Sequence, residues 1–206
     1  MDTYEAINKR RTIRDFDSKQ ISMDIIEKII GAGLKAPTND HMRDWEFIII
    51  SDKNKRAEIL NLIPKTFTGQ EVEEWLDSWG AEDSTQREMY LEAVPKQYAM
   101  LYNAGCLIIP LFRQEGQLLQ PESLSSLNAL ASIWCCIENM LIAAASEGIF
   151  GVTRIPMDNE LRHIQKVLNH SDEYAMPCYI ALGYPAQNAV DVQQKPVNMA
   201  DKIRVI

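Results

Sequence analysis

Residues 129–148 read ALASIWCCIENMLIAAASEG and form the longest apolar stretch of the chain. The pattern predicts a helix over about 122–147 that ends at Gly148. Apolar side chains cover most faces of this helix, which is typical of a helix buried in a core or in a contact between subunits. Glu138 and Asn139 interrupt the stretch, which falls short of the ~20 apolar residues that a membrane span needs. We therefore expect a core helix and no membrane segment.

Shorter periodic segments surround the long helix, whose first turn we expect at Pro121 and Glu122. The predicted helices cover residues 2–10, 22–36, 52–62 and 157–169, the predicted strands cover 45–50, 105–112, 149–154 and 177–183, and residues 12–16 are expected to be extended. This order of helices and strands predicts an α+β fold, or an α/β fold with irregular order.

The composition limits the class of protein. The chain has 206 residues, enough for about one domain at ~150 residues each, and we treat 1–206 as a single domain. Its formal net charge is −8, so we expect no nucleic-acid partner, because phosphates need a positive surface. The N-terminus lacks the apolar core of a signal peptide, and none of the four cysteines has C-x-x-C spacing. These features predict a cytoplasmic protein without a metal site or disulfide.

Two further segments have an unusual composition. Residues 69–96 are strongly acidic and contain Trp75 and Trp79 one helical turn apart. They are either two solvated amphipathic helices or a mobile lid over a site. Residues 186–206 form a tail that is too apolar to be solvated alone. We expect this tail to wrap over another surface, and a partner subunit is one candidate.

Residues 31–36, GAGLKA, match the G-x-G-x-x-A spacing of dinucleotide-binding loops. That fingerprint requires a strand before the glycines and a helix after them. Here an isoleucine-striped helix precedes them and Pro37 follows. We interpret the glycines as a helix end or a point of close packing.

A basic cluster is the strongest indication of a binding site. Arg10, Arg11, Thr12 and Arg14 lie within five residues of an otherwise acidic protein. A guanidinium group can hold a phosphate with two parallel hydrogen bonds, and a threonine hydroxyl adds a donor. Alternatively, Arg10 and Arg11 only complement the C-terminus of a helix.

A polar loop over 36–44 leads into the strand 45–50 and contains His41, which is either an acid–base group or a surface histidine. The sequence contains no G-x-S-x-G motif and no P-loop. We therefore predict no catalytic side chain from local motifs.

Five segments, in order along the chain, resemble the FMN-dependent nitroreductase family. They are RRTIRDF at 10–16, APT at 36–38 followed by WEF at 45–47, the apolar strand at 103–110, AAASEG at 143–148 and ALGYP at 181–185. The resemblance implies an α+β fold with a mostly antiparallel central sheet flanked by helices. It also implies an interlocked homodimer with two FMN sites at the interface, in which residues 186–206 wrap the partner subunit.

The resemblance also implies a set of cofactor contacts. Arginines near the N-terminus hold the FMN phosphate, and one of them reaches the O2/N1 edge of the flavin, where a positive charge stabilises the reduced anion. Other contacts come from the partner subunit, from an amide beside the ring, from backbone groups near N5 and from the tail. The implied phosphate residues are Arg10, Arg11, Thr12 and Arg14, of which Arg14 is the one that reaches the flavin edge. The partner subunit contributes Pro37, Thr38 and His41. The amide is Gln97, the backbone groups near N5 belong to Thr153, Arg154 and Ile155, and the tail contributes Lys195.

The implied activity is an FMN oxidoreductase that takes electrons from NADH or NADPH and passes them to a nitroaromatic or quinone by ping-pong kinetics. The flavin performs the chemistry, so no side chain need act as a nucleophile. His41, Arg43 and Asp44 depart from the asparagine, glutamine and proline usual in the family. Two alternatives therefore stay open: a flavin-binding or sensing protein without turnover, and a dimeric interaction module without flavin.

Overall fold

The computed structural model describes residues 2–114, 118–192 and 194–206. Helices and strands alternate irregularly along the chain, as predicted. The helices are α1 (Thr3–Lys9), α2 (Met23–Gly33), α3 (Lys53–Ile59), α4 (Gly69–Ser78), α5 (Ser84–Ala93), α6 (Gln97–Asn103), α7 (Asn128–Ser146) and α8 (Asp158–Leu168), with 3-10 turns at Asn39–His41, Val94–Lys96, Leu124–Leu127 and Met199–Asp201. The strands are β1 (Trp45–Ile50), β2 (Cys106–Arg113), β3 (Phe150–Arg154), β4 (Tyr174–Ala175) and β5 (Tyr179–Gly183).

The sheet has the strand order β1-β2-β5-β3, and β4 pairs with β2 beside this path. Every pairing between these strands is antiparallel. The expected α+β fold with a mostly antiparallel sheet is therefore confirmed. β5 is buried throughout, and β2 is buried up to its last residue, because helices cover both faces of the sheet.

Side chains on neighbouring positions of a strand enter different cores, since they alternate between the two faces. On one face, Ile108 and Ile180 pack with α2 and α7. On the other face, Leu107 and Tyr179 pack with α3, α6 and α8. This alternation explains why the central strands read as nearly continuous apolar runs in the sequence.

Helix α2 approaches α7 closely at Gly33. A Cβ atom at this position would lie 2.6 Å from Met140 Cγ and 2.9 Å from Cys136 Sγ. The G-x-G-x-x-A stretch is thus a packing site between two helices, as we interpreted it, and it is not a nucleotide loop. Glycine is required here because any side chain would push the helices apart.

The N-terminal segment extends the sheet beyond its β3 edge. Thr12 forms a parallel bridge with Gly151, and Phe16 forms an antiparallel bridge with Pro185. The backbone N–H of Ile13 donates to the carbonyl of Gly151 at 3.3 Å. Residues 12–16 are therefore extended, as predicted, and they are fixed beside β3.

Two elements differ from the sequence-based expectation. The long helix starts at Asn128, so Pro121 and Glu122 do not form its first turn. Ser123 and Ser126 instead form a capping box on a 3-10 turn at Leu124–Leu127, which leads directly into the helix. The short strand β4 was not predicted, because two residues show no alternation.

The span Leu124–Ser146 is long and apolar enough to cross a membrane by length and composition, with a mean hydropathy of 1.5 over 18 residues. In the fold, Ile133, Cys136, Ile137 and Met140 of this span are buried in the core. A soluble core helix meets the same criterion, so the expectation of no membrane partner stays a prediction.

The close approach at Gly33 leads to a matched pair of substitutions. We expect Gly33→Ala to lower the free energy of unfolding by about 1–3 kcal/mol, because the added methyl group overlaps Met140 and Cys136. Gly31→Ala on the same helix meets nothing within 4 Å, and we expect it to raise that free energy by about 0.5–1 kcal/mol through helix propensity. Urea unfolding of both variants measures the difference, and equal effects would contradict the packing role of Gly33.

Candidate functional site

Part of the basic cluster lines a recess at the β3 edge of the sheet. Arg10 caps the C-terminus of α1, and Thr12 is fixed by its bridge to Gly151. We call this the arginine recess; it has a volume of about 180 Å³, and its polar lining consists of Arg10, Arg11, Thr12, Thr153 and the carboxylate of Glu138. The structure thus brings four of the predicted cofactor residues together around one small space.

The arginines of the recess are only partly engaged within the chain. Arg10 Nε lies 3.3 Å from Glu138 Oε1, but its N–H makes no hydrogen bond although the atom is buried. Arg11 pairs with Asp191 of the tail and donates from Nε to the Lys9 carbonyl at 3.2 Å. Arg11 therefore complements the C-terminus of α1, which is the alternative role considered for the cluster. The guanidinium groups and the Thr12 hydroxyl of the recess are donors that fit an anionic phosphate.

Arg14 lies in a second group, which the hairpin α4–α5 helps to build. Its Nη1 donates to Glu92 Oε2 at 2.8 Å, and Lys96 Nζ lies 2.6 Å from both Glu92 Oε1 and Asp15 Oδ2. Burial opposes the charge on Lys96, but its hydrogen bonds to Asp15 and Glu92 outweigh this effect and raise its pKa. The lysine therefore stabilises the fold at neutral pH and loses this contribution only above its unfolded pKa of about 10.5.

Gln97 and Arg154 contact each other rather than lining the recess. Arg154 Nε donates to Gln97 Oε1 at 2.8 Å, and its Nη1 and Nη2 donate to Glu160 Oε2 and Oε1 at 2.5 and 2.8 Å. The Tyr179 hydroxyl donates to Glu160 at 3.4 Å, and burial, followed by the Glu160 charge, raises the pKa of Tyr179. Because the Gln97 oxygen is engaged, its amide N–H groups are the donors that it can offer to a ligand.

Pro37, Thr38 and His41 lie in another place, at the 3-10 turn Asn39–His41. The backbone N–H of Asn39 donates to Ser132 Oγ of α7 at 3.4 Å. Thr38 Oγ1 is buried and makes no hydrogen bond within the described residues. His41 is exposed and has a φ of 57°, a left-handed conformation.

Helix α7 lies between the arginine recess and the 3-10 turn at Asn39–His41. Its Ser132 contacts the 3-10 turn and its Glu138 contacts Arg10. Six residues of an α-helix span about 9 Å along the axis and about 120° around it. A single chain therefore keeps the arginine recess apart from Pro37, Thr38 and His41.

Two predicted residues lie at the periphery. Ile155 is 68% exposed. Lys195 pairs with Asp83, the N-cap residue of α5, and both side chains are largely exposed. A larger cavity of about 810 Å³ opens beside the 3-10 turn and the start of α7, where Asn39, Trp45, Asn128 and Ser132 contribute to its wall.

Sequence reasoning missed the carboxylates that engage these cations. Glu92 was counted with the acidic residues of 69–96, and Glu160 was not singled out in the predicted helix 157–169. Glu92 pairs with Arg14, which lies 78 positions away in the sequence, and no local spacing predicts such a pair. A carboxylate in the first turn of α8 is the only local signal for Glu160. Within the described residues, no group of three or more His, Cys, Asp or Glu side chains could hold a metal ion.

Comparison with known proteins identifies the family. The model of the nitroreductase family matches residues 7–184. The chain belongs to the nitroreductase family. This match spans the arginine recess, the sheet and α7, and it ends before the tail of residues 186–206.

Similar proteins within the family have different names. Iodotyrosine deiodinase of Haliscomenobacter hydrossis is 25% identical over 200 residues, covering 93% of this chain and 84% of the relative. The FMN-bound nitroreductase from Bacteroides fragilis has a TM-score of 0.66 and 25% identity, with 100% of this chain and 99% of that chain covered. Iodotyrosine deiodinase bound to FMN and 3-iodo-L-tyrosine has a TM-score of 0.69 and 18% identity, with 96% and 97% covered. The last similarity shows the fold alone.

The buried pair of Arg154 and Glu160 gives a stability prediction. Their side chains are 11% and 2% exposed, so Glu160→Ala leaves an uncompensated guanidinium, and we expect a loss of about 3–5 kcal/mol in the free energy of unfolding. The control is Glu173→Ala, which breaks the exposed Arg113–Glu173 pair and should cost below about 1 kcal/mol. Urea unfolding measures both values, and a similar small loss for the two variants would contradict the role of Glu160.

Proposed function

We propose that this chain is an FMN-dependent reductase that works as a homodimer. Electrons pass from NADH or NADPH to FMN and then to a small aromatic acceptor. The observation that carries the proposal is the arginine recess, where Arg10, Arg11 and Thr12 present donors at the sheet edge of a nitroreductase-family fold. The guanidinium donors of Arg10 and Arg11 support an anionic ligand at this point.

The residues around the recess take different parts in this proposal. Arg10, Arg11 and Thr12 hold the phosphate, and Lys195 of the tail is a further phosphate ligand. Arg14 supplies positive charge to the flavin edge, where negative charge grows on reduction. Gln97 donates its amide N–H groups to the ring, and Thr153, Arg154 and Ile155 offer backbone groups near N5. FMN, when bound, supplies the two-electron chemistry, so the protein needs no side-chain nucleophile.

A second copy of the chain completes the site in this proposal. The arginine recess measures about 180 Å³, below the ~300 Å³ at which ligand pockets begin. The exposed face of α7 carries Ala131, Cys135 and Glu138 at helical spacing. If two copies meet two-fold through this face, the turn at Pro37, Thr38 and His41 of one copy reaches the recess of the other, and the contact is self-complementary.

The tail supports the same assembly. Its apolar side chains are exposed in the single chain, and a run of this kind marks a surface that is covered by a partner. The exposed residues are Val190, Val197, Met199, Ile203, Val205 and Ile206. Members of the family are commonly dimeric, and we propose that residues 186–206 wrap the partner subunit.

The acceptor has two candidate classes. The resemblance favours nitroaromatics and quinones, whereas the relatives that match over most of the chain are iodotyrosine deiodinases. We therefore propose reductive dehalogenation of a halogenated phenol as the second candidate. In that reaction the carbon–halogen bond is replaced by a carbon–hydrogen bond, halide leaves, and NADH or NADPH supplies the hydride equivalent through FMN.

The visible spectrum tests the redox function. We expect the protein loaded with FMN to show flavin bands that bleach on anaerobic addition of NADH or NADPH. The bands should return when 3-iodo-L-tyrosine, a nitroaromatic or a quinone is added. Iodide release measured by ion chromatography would select dehalogenation among these acceptors.

Other outcomes favour the alternatives. Flavin bands that persist after both nicotinamides indicate a binding or sensing protein, and no bands after FMN is added indicate a module without flavin. Arg10→Ala should weaken FMN binding about tenfold or more, because a hydrogen bond to a charged group is lost. Lys9→Ala is the matched control and should bind FMN like the wild type.

Analytical ultracentrifugation tests the assembly. We expect deletion of residues 186–206, or Ala131→Arg on the exposed face of α7, to raise the dimer dissociation constant about tenfold or more by uncovering or charging the contact. Gln86→Arg on the exposed surface of α5 is the control and should leave it unchanged. A dimer of unaltered stability in both test variants would count against an interface built by α7 and the tail.

A further inference from the structure

Glu92 connects the hairpin α4–α5 to Arg14 of the N-terminal segment. The hairpin has a small core of its own, built on Val72, Leu76 and Val94. Arg87 on α5 pairs with Asp77 on α4 at 2.8 Å, which joins the two helices. The hairpin is thus a unit that can dock as a whole, and Glu92 is one of its contacts with the N-terminal segment.

The Glu92 carboxylate bridges two cations from different parts of the chain. Oε2 accepts from Arg14 at 2.8 Å, and Oε1 accepts from Lys96 at 2.6 Å. Lys96 also donates to Asp15, the residue next to Arg14. These contacts join Arg14, Glu92, Lys96 and Asp15 in one network, in which Glu92 is the residue that contacts the Arg14 side chain.

The bridge leaves most of Arg14 able to bind a ligand. A guanidinium group carries five N–H donors, and the contact with Glu92 involves Nη1 alone. Nε and Nη2 can therefore face a ligand while Glu92 fixes the plane of the group. A carboxylate that accepted hydrogen bonds from Nε and Nη2 as well would leave Arg14 fewer donors for a ligand.

Exposure separates this ion pair from the pair that joins the hairpin to the tail. Arg14 and Glu92 are 11% and 17% exposed, whereas Lys195 and Asp83 are 66% and 44% exposed. Exposed ion pairs contribute little to stability, because water and salt screen the charges and because long side chains lose conformational freedom when they pair. Glu92 is therefore the contact through which the hairpin can act on the cofactor.

We propose that Glu92 is a positioning residue for the cofactor. It orients Arg14 toward the flavin. The contribution of Arg14 to FMN affinity therefore depends on the contact between the hairpin α4–α5 and the N-terminal segment. The inference rests on the proposed function, because it takes FMN as the ligand of Arg14. Glu92 acts through Arg14 and does not itself touch the cofactor.

A double-mutant cycle on FMN affinity tests the inference, with binding followed by quenching of flavin fluorescence. We expect Glu92→Ala to weaken FMN binding about tenfold, because the remaining arginine is no longer oriented. In the Arg14→Ala background, Glu92→Ala should have no further effect, since the residue it positions is gone. Glu88→Ala is the matched control, one turn earlier on the same helix and exposed, and it should bind like the wild type.

Hydrogen exchange provides a second readout that a purely structural role would not produce. FMN should slow amide exchange across residues 84–93 in the wild type and in Glu88→Ala, but not in Glu92→Ala. Glu92→Gln keeps the shape and one acceptor, so it should lie between the wild type and Glu92→Ala in FMN affinity. This variant also replaces Glu92→Ala in the cycle if the alanine variant does not fold.

The outcomes separate the two proposals. If the wild type binds no FMN, the proposed function fails and this inference fails with it. If the wild type binds FMN but Glu92→Ala equals Glu88→Ala, or its effect adds fully to that of Arg14→Ala, only the positioning role is overturned. Tighter binding by Glu92→Ala would also overturn it, because Glu92 would then be an anion that competes with FMN.

Discussion

Helix α7 is apolar on nearly every face, and the sheet covers only one side of it. Its inner face packs against α2 at the distance that Gly33 allows, and this contact fixes the helix over the sheet. Its outer face carries Ala131, Cys135 and Glu138 toward solvent in the single chain. The arginine recess and the turn at Asn39–His41 both lie against this helix, at different heights and on different sides. The position of α7 therefore determines where both groups of candidate cofactor residues lie.

Much of the fold could be predicted from local pattern. The strand Trp45–Ile50 was predicted with its bounds, because aromatic and β-branched residues are concentrated there. The glycines at 31 and 33 were predicted to mark a helix end or close packing, because their context lacked a preceding strand, and Gly33 meets both descriptions. The start of the long helix was misplaced, because the two serines at 123 and 126 cap a separate turn that hydrophobic periodicity does not reveal. The strand Tyr174–Ala175 is too short to give a pattern.

The site was predictable only where its residues are neighbours in sequence. The density of arginines over 10–14 indicated a recess for an anion, and the structure brings Arg10, Arg11 and Thr12 together there. Contacts across the chain could not be predicted. Gln97 meets Arg154 across 57 positions and Arg14 meets Glu92 across 78, since only the three-dimensional path of the chain decides such pairs. The sequence pattern therefore gave Glu92 no role beyond the acidic segment 69–96 and gave Glu160 no role, although each of them pairs with an arginine.

The ion pairs differ in solvent exposure, and this difference determines which of them added salt weakens first. At physiological ionic strength, charges in water are screened over about 8 Å, and buried pairs are screened much less. Added salt should therefore weaken the contacts of the tail with Arg11 and Asp83 first, since these side chains are largely exposed. The pairs of Arg14 with Glu92 and Arg154 with Glu160 are far less exposed and should persist. Ionic strength would thus detach the periphery of the chain in a fixed order and leave the centre of the site intact.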